Sequence, residues 1–381
     1  MKIIVVDSKR DSKRFIQLPN LFYSKEKVWI KPIEKEVEKI FDVSSKDYPK
    51  QTLHKRWLIE EKGKLIGRIA AFAKKDGDNK IGGIGFFDCI NSQEAANMLF
   101  DVSKKWLMEI GMESMDGPIN LGARDKWWGL LTKGYHIEPN YESNYNFPYY
   151  KELLENYGFQ TYFEHYTFLK GIREPVHPRL QYKSDLVAKN SDYSVLHFDK
   201  KKFDQHTLDI IEVYNKAWVG HEGVSSMSIE QGKAIMNHLR PILDEKIVWL
   251  VYYKKEPVAF YINIPEVNQW FKHVNGKLDF LGKLKFLWHK NTRPNKKMMG
   301  KVFGIVPEHQ GKGLDGALIM AFRNYAFQLG YQDIEISGIG DFNRKMILVI
   351  KQVGGNICKI HTTYRYQFDR SLPFERMKNI V

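Results

Sequence analysis

The chain has 381 residues and a formal net charge of +14, from 59 Lys and Arg against 45 Asp and Glu. Hydrophobic residues make up 43% and aromatics 14%, which excludes a disordered or collagen-like chain. At about 100–200 residues per domain, the length predicts two domains or three.

Only Cys89 and Cys358 are present. That excludes a disulfide framework and a cysteine zinc site; no metal is expected, and a reducing, cytoplasmic setting is. The longest apolar runs, such as residues 247–253, have strand length and fall short of the roughly 20 residues of a membrane span. The opening MKIIVVDSKR lacks the apolar core of a signal peptide. The positive surplus rests on 45 Lys against 14 Arg. Phosphate and base readers favour the planar Arg fork, so a Lys-rich surplus is only weak evidence for dedicated nucleic-acid binding.

Taken in order, the chain opens with a strand at 3–6 and a stretch of irregular helical pattern. Strands at 57–61 and 65–72 turn around Lys62 and Gly63, and a third follows at 80–88. A helix over 93–110 stops at Gly111, a short segment occupies 113–120, and a strand runs over 161–169. Residues 176–191, with Pro178 and alternating charges, read as a linker. The second half has a strand at 193–198, helices at 204–218 and 229–243, and strands at 247–253, 258–264 and 297–307. A helix over 316–329 then ends at Gly330, before strands at 333–337 and 357–368.

The halves repeat. Gly85 to Gly111 spans 26 residues, as does Gly304 to Gly330; Gly158 to His165 spans 7, as does Gly354 to His361. A duplicated unit is predicted, with copies at 1–175 and 192–381 and a linker at 176–191. Each copy runs strand, two helices, three strands, helix, strand, helix, strand. This predicts an α/β fold of α+β layers, each copy a mixed, mostly antiparallel sheet with helices on both faces.

Between the fourth strand and third helix of copy two stand Gln310, Gly311, Lys312, Gly313 and Leu314. With the element order, they resemble the CoA loop of the GNAT superfamily of acyl-CoA N-acyltransferases, although Asp315 occupies a position that is small in that pattern. The resemblance covers copy two by pattern and copy one by topology. The whole chain resembles a bacterial group with two tandem GNAT-like domains. It implies transfer of an acyl group, acetyl being the expected one, from CoA to an amine by direct attack in a ternary complex. Two alternatives stay open: an aminoacyltransferase drawing on aminoacyl-tRNA, and an inactive GNAT-like binding module.

The chemistry fits the loop. N–H groups at a helix start and the helix dipole favour an anion, and glycines let backbone approach a pyrophosphate. Gln310 to Leu314 would form that cradle, and Ile305 and Val306 would offer strand-edge N–H groups to the thioester carbonyl. Asn343 resembles the family's fourth-helix Asn. The Tyr that serves the family as general acid seven residues later is replaced here by Ile350. Copy one has Cys89 to Glu94 at the loop position, without glycine and with Ser92 suited to capping a plain helix, so no CoA is expected there.

Glu335, Glu308 and His309 are the candidate general bases; His165 and His361, at matched repeat positions, read as structural. Trp128 and Tyr135, in the Gly-, Pro- and aromatic-rich stretch 117–150, are candidates for binding the acceptor, a small-molecule or peptidyl amine, or for packing between domains. Trp218 and His221 are further acceptor candidates, because the resemblance places their region over the acceptor site. Residues 268–301 carry nine Lys and Arg against Asp279 alone, with Trp270, Phe271, Phe280, Phe286 and Trp288 interleaved. Such a basic insert suits an anionic partner: a membrane surface, an acyl-CoA phosphate or RNA. It equally suits docking of the aromatics with the lysines left in water.

Overall fold

The computed structural model describes residues 1–45, 48–49, 51–74, 80–121, 126–218 and 226–379. Copy one runs β1 (Lys2–Val5), α1 (Lys9–Gln17), α2 (Pro19–Tyr23), α3 (Glu34–Ile40), β2 (Thr52–Glu61), β3 (Lys64–Lys74) and β4 (Ile81–Cys89). It continues with α4 (Gln93–Glu109), β5 (Ser114–Gly117), β6 (Leu130–Lys133), α5 (Tyr150–Tyr157) and β7 (Gln160–Gly171). The helix α6 (Pro178–Lys189) leads to copy two. That copy begins β8 (Tyr193–His197), α7 (Phe203–Trp218), α8 (Ile229–Leu239), β9 (Val248–Tyr253) and β10 (Glu256–Pro265). The basic insert forms α9 (Asn268–Phe271) and α10 (Phe280–Thr292), before β11 (Lys297–Ile305), α11 (Leu314–Gln328), β12 (Asp333–Gly340), α12 (Arg344–Gln352) and β13 (Asn356–Gln367).

The strands join one sheet in the order β1-β2-β3-β4-β5-β13-β7-β12-β11-β10-β9-β8, with β6 also on β13. β4–β5 and β11–β12 are parallel; β1–β2, β2–β3, β10–β11 and the central pairs are antiparallel. The predicted layered α/β class therefore holds. β3 and β10 are buried along nearly their whole length, as expected for central strands covered on both faces. One core beneath α11 gathers Leu250, Phe260, Leu314, Leu318 and Phe322; another beneath α4 gathers Ile59, Ile69, Leu99 and Phe100. Each such side chain taken from water contributes about 1.5–3 kcal/mol.

The predicted boundaries need two corrections. First, the copies exchange their last strands. β7, which ends copy one, pairs with β12 of copy two, while β13, which ends copy two, pairs with β5 of copy one. β7 and β13 pair with each other in the middle, His165 opposite His361, Glu164 opposite Thr362 and Tyr166 opposite Ile360. Equivalent repeat positions thus face one another across a pseudo-twofold.

Second, residues 176–191 are no loose linker. α6 buries Leu180 and Val187 and crosses the start of α11 so closely that a Cβ on Gly316 would lie 2.7 Å from the Leu180 carbonyl oxygen. The long stretch 117–150 also belongs to the junction. The Trp128 indole donates to Thr363 Oγ1 at 3.1 Å, and Lys359 Nζ donates to the Glu138 carbonyl at 3.0 Å.

Candidate active site

β11 and β12 stay paired only from Lys297 opposite Asp333 to Gly300 opposite Ile336. Beyond that point they splay, and β12 continues on β7 alone with a register shift between Ile336 and Ile339. The splay opens a cavity of ≈ 570 Å³, walled by β11, β12, β7, α11 and α12. Phe168, Ile319, Phe322, Ile336, Ile339 and Val349 make it largely apolar.

The expected CoA loop connects β11 to α11, the strand and the helix that wall this cavity. Gly311 has φ +75 and Gly313 φ +92, conformations that side-chain-bearing residues rarely adopt. No side chain caps α11, so the N–H groups of its first turn have neither an intrahelical partner nor a side-chain acceptor. In copy one the matching helix α4 is capped: Ser92 Oγ accepts from Ala95 N at 3.3 Å. Asp315, the intruding carboxylate, is paired with Lys183 of α6 at 2.6 Å, which offsets its charge beside the loop. Lys312 is exposed, and Gln310 Nε2 donates to the Ile305 carbonyl at 3.2 Å, closing the turn.

Of the two strand-edge residues, Val306 needs correcting. Its N–H donates to the Val258 carbonyl at 3.0 Å and is therefore spent on β10. Antiparallel alternation then turns the N–H groups of Ile305 and Phe303 to the opposite edge, the one that faces the splay. Asn343 lines the cavity and caps α12, its Oδ1 accepting from Met346 N at 3.1 Å. Ile350 is buried against the cavity wall.

The expected bases are not brought together there. Glu335 alternates with Ile334 and Ile336, and those two face the cavity while Glu335 points to the other side of the sheet. It is 0% exposed and bridges Lys297 at 2.6 Å and Lys359 at 2.8 Å, while Asn140 of the 117–150 stretch donates to it at 2.6 Å. Burial alone would raise its pKa, but Lys359 and Lys297 outweigh burial and hold the carboxyl below its ordinary value. A carboxylate so engaged is a structural anion and not the expected base.

His309 Nδ1 is 2.7 Å from the Tyr193 hydroxyl, and its ring lies against Tyr253. Desolvation and Lys312 lower its pKa, against the pull of Glu308. His309 and the exposed Glu308 lie off the cavity wall. Trp128 and Tyr135 are likewise absent from that wall, and Trp128 serves the junction as described. Trp218 ends α7, and His221 lies outside the described residues.

The cavity wall also carries His165, expected above to be structural, and Tyr214, Tyr261, Lys301 and Ser337, none of which was a candidate site residue. Among the described lining residues His165 is the one His, and no Asp or Glu joins it. Its only signal in the sequence is its matched repeat position, which says where it lies and nothing about a cavity.

The fold is that of the tandem GNAT proteins. The tandem GNAT protein from the clavulanic acid biosynthesis pathway superposes with a TM-score of 0.53 over 98% of this chain and 99% of its own, at 8% identity. Two curated proteins match end to end. A bacterial ceramide synthase of Caulobacter vibrioides is 23% identical over 373 residues, 96% of this chain and 97% of its own. Protein YghO of Escherichia coli is 22% identical over 370 residues, 94% of each. No protein-family model matches the chain.

Proposed function

We propose that the protein is an N-acyltransferase that takes an acyl group from CoA and gives it to an amine by direct attack. The observation that carries this reading is the splayed β11–β12 cleft, joined by the glycine loop to a helix whose first turn is left uncapped. The cradle residues are Gly311 to Leu314, with Lys183 holding Asp315 out of the way of an incoming pyrophosphate. In this reading Ile305 and Phe303 supply edge N–H groups to the thioester carbonyl, and His165, on the cavity wall, takes the amine proton.

The cavity walls favour a fatty acyl chain over the acetyl group expected from the resemblance. A volume of ≈ 570 Å³ lies within the usual range for an enclosed ligand, and its lining is richer in Phe and Ile than a two-carbon group requires. A long-chain amine acceptor is the companion reading, supported by the end-to-end similarity to the bacterial ceramide synthase.

Thiol release from acetyl-, decanoyl- and palmitoyl-CoA with a sphingoid base as acceptor tests this. The expected result is turnover that rises with chain length and falls about 100-fold or more in His165→Asn. No calorimetric heat with any of the three thioesters would overturn the CoA reading.

A further inference from the structure

The helix α10 is built inside out. Phe280, Leu281, Leu284, Leu287 and Trp288 fall at helical positions i, i+1, i+4, i+7 and i+8, the stripe that a surface helix normally turns to its core. Here each is between 49% and 76% exposed. The inner side is made by Gly282, Phe286 and His289 instead. Phe286 stacks on Phe271 at 5.0 Å and meets Trp270 edge-on at 5.8 Å, so α9 anchors the helix while the stripe faces outward. Gly282 is held to this packing, since a Cβ there would lie 2.0 Å from the Lys277 carbonyl oxygen.

Lysines surround the stripe. Lys277, Lys283, Lys285 and Lys296 are exposed, and Lys290 donates to the Pro241 carbonyl. The single acid of the segment, Asp279, is occupied as the N-cap, accepting from Gly282 N at 2.9 Å. Of the expected interleaved aromatics, Trp270 and Phe271 are buried and Phe280 and Trp288 are not, so docking against the domain accounts for only part of the insert.

We propose that α10 is a membrane-docking helix that lays its apolar stripe into the interface of an anionic lipid bilayer. Charge complementarity selects this occupant: lysines flank an apolar stripe that ends in Trp288, a residue suited to the headgroup boundary. Three of the five projecting side chains are Leu, which offer no ring to stack a base, so single-stranded RNA is the poorer fit. The inference goes beyond acyl transfer and does not rest on it.

Cosedimentation of the full chain with vesicles of phosphatidylcholine, with and without about one third phosphatidylserine, tests it. Binding at least ~10-fold tighter to the anionic vesicles is expected, weakening with salt. Leu284→Ser with Trp288→Ser should remove binding to both, and Lys283→Glu with Lys285→Glu should remove the anionic preference. All four side chains are exposed, so the variants should keep the wild-type melting temperature. Equal sedimentation of wild type and the Ser variant would overturn the proposal. So would absent vesicle binding together with either oligoribonucleotide binding or a dimer that the Ser variant dissociates.

Discussion

At Glu335 two oxygens, wholly out of water, meet two ammonium groups and one amide. Removing the charge while keeping the shape takes from Lys359, 1% exposed, the carboxylate it is paired with. Glu335→Gln should therefore cost about 3–5 kcal/mol in urea unfolding. Glu335→Leu with Lys359→Met, which removes both buried charges of that pair, should cost less. His361 gives a separate acid-sensitive element. Burial pushes its pKa down to about 4, while the Asn144 carbonyl, 3.2 Å from Nε2, pulls the other way. The unfolded chain takes up a proton near the ordinary 6.5 and the folded chain does not. The contribution of a neutral His361, about 3 kcal/mol, is thus present above pH 6.5 and lost as pH falls toward 4. Unfolding free energies at pH 7.5 and 5 should differ in the wild type and differ less in His361→Gln. Glu335 acts in a lower window, below the ordinary carboxylate value, so the two effects separate on one titration.

At the scale of elements, α6 and α11 work as one unit. Gly313 combines φ +92 with the Lys183 carbonyl oxygen only 3.0 Å from where a Cβ would stand. Gly313→Ala should move the loop and weaken acyl-CoA binding by calorimetry roughly 10-fold or more. Lys183→Ala should weaken it too, by exposing Asp315, and Lys183→Ala with Asp315→Asn should restore most of the loss. If the double variant binds no better than the single, charge offsetting is the wrong account of Lys183. Most of these elements were legible beforehand, because strand alternation, helical periodicity and terminal glycines such as Gly111 and Gly330 are local signals. α6 was not: Pro178 and alternating charges look the same in a loop as at the start of a helix whose buried Leu180 and Val187 are only two residues. Glu335 was misread for a related reason. Alternation with Ile334 and Ile336 shows that it faces away from them, but not which face holds a cavity or where Lys359 arrives from.

For the whole molecule, the strand exchange was invisible because pairing partners leave no spacing in the chain; only the matched positions of His165 and His361 hinted at the axis. The exchange makes the halves interdependent. Copy one alone lacks β13, leaving the edge of β5 open, and copy two alone lacks β7, which supplies His165, Phe168 and Leu169 to the cavity wall. Residues 1–175 and 176–381 expressed separately should aggregate, through unpaired strand edges. Coexpressed, they should copurify as one complex. A monomeric, cooperatively melting half would show that the exchanged strands are dispensable to it.

Synthesis runs in one direction, and β13 follows its partner β5 in the chain only after all of β6 to β12. The N-terminal half therefore leaves the ribosome with a gap in its sheet that only a segment made after β12 can fill. Proteins of this length ordinarily close their first domain while the second is still being translated. Here that order is denied: the sheet of copy one waits, open at β5, until β13 has been made.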